Sequence, residues 1–232
     1  MEQIYTIPVN EAFEESAAGG HECPFCLMRR KLEENEIDLL LGASMMEPDV
    51  RIKTNALGFC PRHFGQLYSG GKALPFALIM ESHLNTVREN LKGAGAFSGM
   101  KAAADLKTLE KLNSSCYVCD RIDYHFTRMI DTAVFLWDHD DKMKKNVVLV
   151  DRFCFPHYTQ FVKAAKAQLD KKRFSLFYGA VWEVMDRYTA KLSENVSAFA
   201  KQFDYRYVDE QVSQEVKAAP GDAMRLFSGD NE

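Results

Sequence analysis

Apolar residues recur at helical spacing along most of the chain, and glycines punctuate the stretches between them. Residues 24–41 place Phe25, Met28, Leu32, Ile37, Leu40 and Leu41 on this period, with Gly42 as a stop. Residues 61–69 predict a shorter helix ended by Gly70-Gly71, and 74–92 a longer one through Leu74, Leu78, His83, Leu84, Val87 and Leu91. A further short helix is expected over 102–112. The second half repeats the order, with helices expected at about 117–138, 156–170 and 173–201. Two β-prone runs interrupt the pattern, Val50-Arg51-Ile52 and Val147-Val148-Leu149-Val150, which read as extended loops or a small strand pair. The tail after Lys201 is polar until Ala223–Phe227, where a final helical turn is expected to dock.

Onto this helical pattern fall four ligand pairs. Cys23-Pro24-Phe25-Cys26 is followed 34 residues later by Cys60-Pro61-Arg62-His63, and Cys116-Tyr117-Val118-Cys119 is followed 35 residues later by Cys154-Phe155-Pro156-His157. All six cysteines of the chain are used. Laying the second half on the first at an offset of 93 to 94 residues aligns every pair, and the neighbourhoods match: Gly58-Phe59-Cys60 resembles Arg152-Phe153-Cys154, and Phe64 matches Tyr158. The expectation is an all-α protein of two pseudo-repeated halves, each organised around a Cys3His metal site. The segments are 1–92 for the N-terminal repeat, 93–113 for a linker and short helix around Gly93, Gly95 and Gly99, 114–201 for the C-terminal repeat, and 202–232 for the tail.

The chemistry follows from the spacing. A CxxC puts two sulfurs on one side of a turn, a CxxH one sulfur and one imidazole, and two such pairs complete a tetrahedron around zinc. Pro24 and Pro61 directly follow cysteines and suit the first helical position, so Cys23 and Cys60 read as caps whose thiolates face helix N-termini. Pro156 lies one residue later in its pair. Closed Cys3His sites favour two zinc ions in a mainly structural role. Two iron–sulfur clusters in an electron-transfer protein are the alternative, and a metalloenzyme with an open coordination position is the third. The CxxC of one half can also combine with the CxxH of the other, and spacing leaves both arrangements open.

Composition narrows the remaining classes. A chain of 232 residues with 47% hydrophobic content is ordinary for a folded protein. A net charge of -4 gives no basic field for nucleic acid, and Lys142, Lys144 and Lys145 read as a solvated face. The opening MEQIYTIPVNEAFEE has neither a basic n-region nor an apolar h-region, and no stretch reaches a membrane span, so the expected location is cytoplasmic. There, paired cysteines read as ligands rather than disulfides. The expected partner is a protein or a small molecule of unassigned identity. No phosphate-binding loop, dinucleotide fingerprint or nucleophile elbow is present.

Other candidates read as structural. His21, near Cys23, and His125, six residues after Cys119, are read as surface or helix histidines, and His83 and His139 lack counterparts in the other half. The polar stretch Met45–Asn55 looks irregular and self-satisfying. Glu81 and Glu183 recur in apolar surroundings as possible buried carboxylates, and Phe174, Phe177, Tyr178, Trp182 and Tyr188 read as core.

Tyr5–Phe13, CPFC, Met46–Arg51 and Thr54–Phe64 together resemble an uncharacterised family of bacterial proteins, frequent in anaerobic Firmicutes and catalogued as a domain of unknown function. Members are sometimes labelled substrate-binding proteins of ABC transporters. The resemblance covers almost the whole chain and implies a bacterial protein without an assigned activity; an anaerobic setting would raise the iron–sulfur alternative.

Overall fold

The computed structural model describes residues 3–91, 98–206 and 211–230. Among these residues there are eleven α-helices, two short 3-10 turns and no strand. The helices are α1 (Thr6–Ala17), α2 (Pro24–Leu40), α3 (Pro48–Leu57), α4 (Pro61–Ser69), α5 (Ala73–Asn90), α6 (Ser98–Ser114), α7 (Tyr117–His139), α8 (Asp141–Leu149), α9 (Phe155–Gln168), α10 (Lys171–Lys201) and α11 (Gln214–Ser228). The all-α expectation holds, and the helices expected from periodicity appear within a few residues of their predicted bounds. The linker glycines Gly93 and Gly95 lie outside the described residues.

Both β-prone runs are helical. Val50–Ile52 lies in α3, which has Pro48 at its start and Asp49 in its first turn. Val147–Leu149 closes α8, whose N-cap Asp140 accepts the Lys142 N–H at 2.8 Å. Met143 and Val147 are fully buried four residues apart, so a capped, amphipathic helix overrides β-branched propensity. The stretch Met45–Asn55 is likewise ordered, as the end of a 3-10 turn at Ala43–Met46 followed by α3.

The chain divides into two compact units, one of residues 1–30 and 126–232, the other of residues 31–125. These units cut across the consecutive segments 1–92 and 114–201, because the first unit takes the start of one segment and most of the other.

The first unit is built on a cluster of phenylalanines. Phe13, Phe25, Phe153, Phe161 and Phe177 are all fully buried. Phe25 meets Phe161 at 4.8 Å between centroids, Phe13 meets Phe25 at 5.5 Å, and Phe161 meets Phe177 at 4.7 Å, each edge-on. Each buried ring contributes about 2 kcal/mol relative to exposure, and edge-on pairs add somewhat more. Two of these rings belong to the ligand motifs: Phe25 sits inside CPFC, and Phe153 precedes Cys154. The core therefore places the cysteines.

The second unit is smaller and buries Leu40, Leu41, Phe59, Leu67, Ile79, Tyr117, Val118 and Ile122. It also buries two carboxylates. On α2, Glu33 and Glu36 lie inward with Leu40, whereas Leu39 is exposed. Arg62 meets Glu33 at 2.8 Å and Arg121 meets Glu36 at 3.4 Å, so each acid has a cationic partner.

Candidate metal centres

The eight predicted ligands form two groups, and each group crosses the halves of the sequence. Cys23 and Cys26 meet Cys154 and His157, while Cys60 and His63 meet Cys116 and Cys119. In each group the four ligand atoms lie within 4.8 Å of one another. The pairing expected within each half is thereby corrected to the crossed one. Each crossed set falls inside one compact unit. The six cysteines are free of disulfides.

All four pairs sit at helix starts. Cys60 caps α4 and Cys154 caps α9, with proline in the first turn of each. Cys23 and Cys116 immediately precede α2 and α7, and Cys26 and Cys119 lie in their first turns. Each group is therefore met by two helix N-termini, whose partial positive charge favours thiolates.

In the first centre the imidazole Nδ1 of His157 lies 3.2 Å from Cys154 Sγ, 3.3 Å from Cys26 Sγ and 3.8 Å from Cys23 Sγ, and Cys26 and Cys154 are 3.6 Å apart. The three cysteines are at most 2% exposed. Phe126 and Phe25 flank the His157 ring at 5.0 and 6.1 Å between centroids. The C-terminal segment closes the site. Gly229 ends α11 at φ +95°, a conformation that favours glycine, and turns the chain so that the Asp230 N–H donates to Cys26 Sγ at 3.3 Å. The Asp230 carboxylate accepts from the Cys23 N–H at 3.1 Å and pairs with buried Arg152. Arg152 in turn lies over the Tyr188 ring, 5.6 Å from its centroid.

The second centre has a different surround. His63 Nδ1 lies 3.1 Å from Cys60 Sγ, 3.1 Å from Cys116 Sγ and 3.4 Å from Cys119 Sγ. Its other nitrogen, Nε2, donates to Glu33 Oε1 at 2.9 Å. Glu33 thus fixes the tautomer that leaves Nδ1 facing the sulfurs. Burial alone would raise the Glu33 carboxyl, but the Gln66 hydrogen bond, the Arg62 charge and the His63 contact hold it below its usual value. Cys60 and Cys119 are partly exposed here, unlike any cysteine of the first centre.

Burial and mutual contacts shift the thiols in both directions. In the first centre burial opposes the Cys23 thiolate, yet hydrogen bonds from Cys154, Cys26 and His157 hold that thiol well below its usual range. Contacts with Cys154 and Cys23 push Cys26 up, and Cys154 is pushed up to about 12, first by its bond with Cys23. The second centre repeats the pattern. Cys60 is lowered because the His63 backbone N–H and the neighbouring thiols outweigh burial, whereas burial raises Cys116 and pushes Cys119 up to about 12. In each set one thiol is held down while its neighbours are pushed up, as crowding of like charges and burial require.

The other sequence candidates lie apart from these sets. His21 is exposed and pairs with Asp151, His139 donates to the Phe135 carbonyl at 2.9 Å, and His125 packs edge-on against Tyr124. His83 is buried and bonded to the Asn55 carbonyl. Glu81 and Glu183 are exposed, so the reading of them as buried carboxylates is overturned. Phe177 is core, but Tyr178 and Trp182 are 41% and 51% exposed and stack in a surface row with Phe174. Glu33, Arg152, Gly229 and Asp230 were missed in the sequence. Only Arg152, two residues before Cys154, carried a positional signal.

No helix among the described residues is long and apolar enough to cross a membrane. No curated protein and no solved structure matches the chain. A family model does match, over residues 1–231, and the chain belongs to that family, described as a family of unknown function (DUF6062).

Proposed function

We propose that this protein is a cytoplasmic zinc protein in which two Cys3His centres brace a helical scaffold for a protein or small-molecule partner. The observation that carries this is the spacing of the ligand atoms. Tetrahedral zinc with ordinary bond lengths sets its sulfurs about 3.8 Å apart and its sulfur and nitrogen ligands about 3.5 Å apart. Eight of the twelve ligand pairs lie 3.1 to 3.9 Å apart, and every pair lies within 4.8 Å. That spacing suits one ion. In a cubane iron–sulfur cluster each ligand binds a different iron, which holds the ligands farther apart and favours the zinc reading over clusters.

The residues fit zinc chemically as well. Three thiolates and one neutral imidazole are a common structural set, and four protein ligands leave no position for water. When bound, the ion would neutralise the thiolates and tie α2 to α9 in the first unit and α4 to α7 in the second. Arg152 with Asp230, and Glu33 with Arg62, hold the ligands in place.

The test is elemental analysis with a visible spectrum on protein purified without oxygen and without added metal. About two zinc per chain and a colourless protein are expected, since each complete Cys3His set holds one ion. Iron with matching sulfide and a broad visible band would replace this reading with electron transfer.

A further inference from the structure

The second unit contains a pocket of about 400 Å³ that the metal chemistry does not use. Its walls are largely apolar, with Phe59, Phe64, Met80, Leu84 and Leu109 among them. No charged side chain lines it. Its volume falls in the usual small-molecule range of roughly 300–1,000 Å³.

Besides Asn113 and the Cys60 thiol, one imidazole breaks the apolar lining. His83, on α5, is only 8% exposed. Its Nδ1 lies 3.1 Å from the Asn55 carbonyl, which can only accept, so Nδ1 carries the proton. The neutral ring then offers Nε2 as a bare acceptor. Among the described residues the ring's hydrogen bond is the one through Nδ1.

The ring is also held in place. Phe64 packs against it at 6.4 Å between centroids, and Gly58 lies beneath its Nε2–Cε1 edge. A Cβ at Gly58 would sit 3.2 Å from both ring atoms, and φ +62° there independently favours glycine. The backbone thus yields space to this imidazole edge, at the wall of the pocket.

We infer that this pocket binds a compact neutral molecule, mostly hydrocarbon, that presents one hydroxyl donor to His83 Nε2. A phenol with a short alkyl substituent has this chemistry. The hydrocarbon covers Phe59, Phe64, Leu84 and Leu109, and the hydroxyl supplies the missing proton. An anion is disfavoured, because the lining offers it no cation.

The inference is independent of which metal is held. Its test is calorimetric titration of the full chain, as purified, with 4-ethylphenol and separately with 4-ethylanisole, which replaces the donor by a methyl ether. Saturable one-to-one binding of the phenol is expected, with the ether roughly fivefold to tenfold weaker, as for loss of one hydrogen bond. The Met80 methyl resonance should shift during the phenol titration. Leu109→Trp, at a residue 39% exposed, should fill the pocket and abolish binding without unfolding the chain. Absence of saturable phenol binding would mean that water alone satisfies His83 and would overturn the proposal. Equal affinity for phenol and ether would overturn the role of His83, and binding unchanged in Leu109→Trp would overturn the location.

Discussion

Glu33 Oε1 accepts the Nε2 proton of His63 at 2.9 Å, and that bond decides which imidazole nitrogen faces the three sulfurs of the second centre. Glu33→Gln keeps an acceptor but removes the charge that raises ligand basicity. Metal affinity at this centre should fall roughly tenfold or more. Competition with a chromogenic chelator should show one weakened equivalent and one unchanged. The acid response has a defined sign. The Glu33 carboxyl is held below its ordinary 4.5, so its stabilising contribution is complete above that value and fades as pH falls through the lower folded-state value. Two unchanged equivalents in Glu33→Gln would remove Glu33 from the metal chemistry.

The crossed pairing predicts a specific metal count. Cys23→Ala with Cys154→Ala damages one centre twice and should leave one metal per chain. Cys23→Ala with Cys60→Ala damages both centres and should leave none. Pairing within each half would exchange these two results. Counting metal on the folded, monomeric fraction of each variant distinguishes them.

Among the described residues Asp230 is the acid paired with Arg152, a guanidinium 3% exposed beside the first centre. Burial opposes its charge, and Asp230 more than compensates, holding Arg152 above its ordinary value. Asp230→Ala strands that charge and strips the Cys23 N–H of its acceptor. Stability should fall by roughly 3–5 kcal/mol, as for a broken buried pair. Urea denaturation of the metal-loaded variant measures this; a loss below about 1 kcal/mol would class the pair with surface salt bridges.

The candidate ligand residues were legible because CxxC and CxxH are local geometries, complete within one turn at a helix start. Their pairing was not. The spacing is nearly symmetric between halves, and only the fold brings Cys23 to His157, 134 residues away. Glu33 and Glu36 were hidden for a related reason. Apolar periodicity assigns the buried stripe of α2 to leucines, whereas the second unit buries these acids against Arg62 and Arg121 and leaves Leu39 outside. The row Phe174, Tyr178 and Trp182 errs the other way, since helical spacing is shared by core and surface stripes. Asp230 could not be seen at all, because its contact with Cys23 spans 207 residues.

Their different exposure should separate the two centres kinetically. Cys23, Cys26 and Cys154 are at most 2% exposed, and Gly229-Asp230 folds over their sulfurs. Cys60 and Cys119 are partly open to solvent. A chelator can approach the second centre directly, whereas reaching the first requires the C-terminal segment to lift. Metal release into excess chelator should therefore be biphasic, with one equivalent leaving roughly tenfold or more faster than the other. Cys60→Ala should remove the fast phase and Cys23→Ala the slow one. Deleting residues 229–232 should accelerate the slow phase and leave the fast phase unchanged. Release of both equivalents in a single phase would show that the segment gives the first centre no protection.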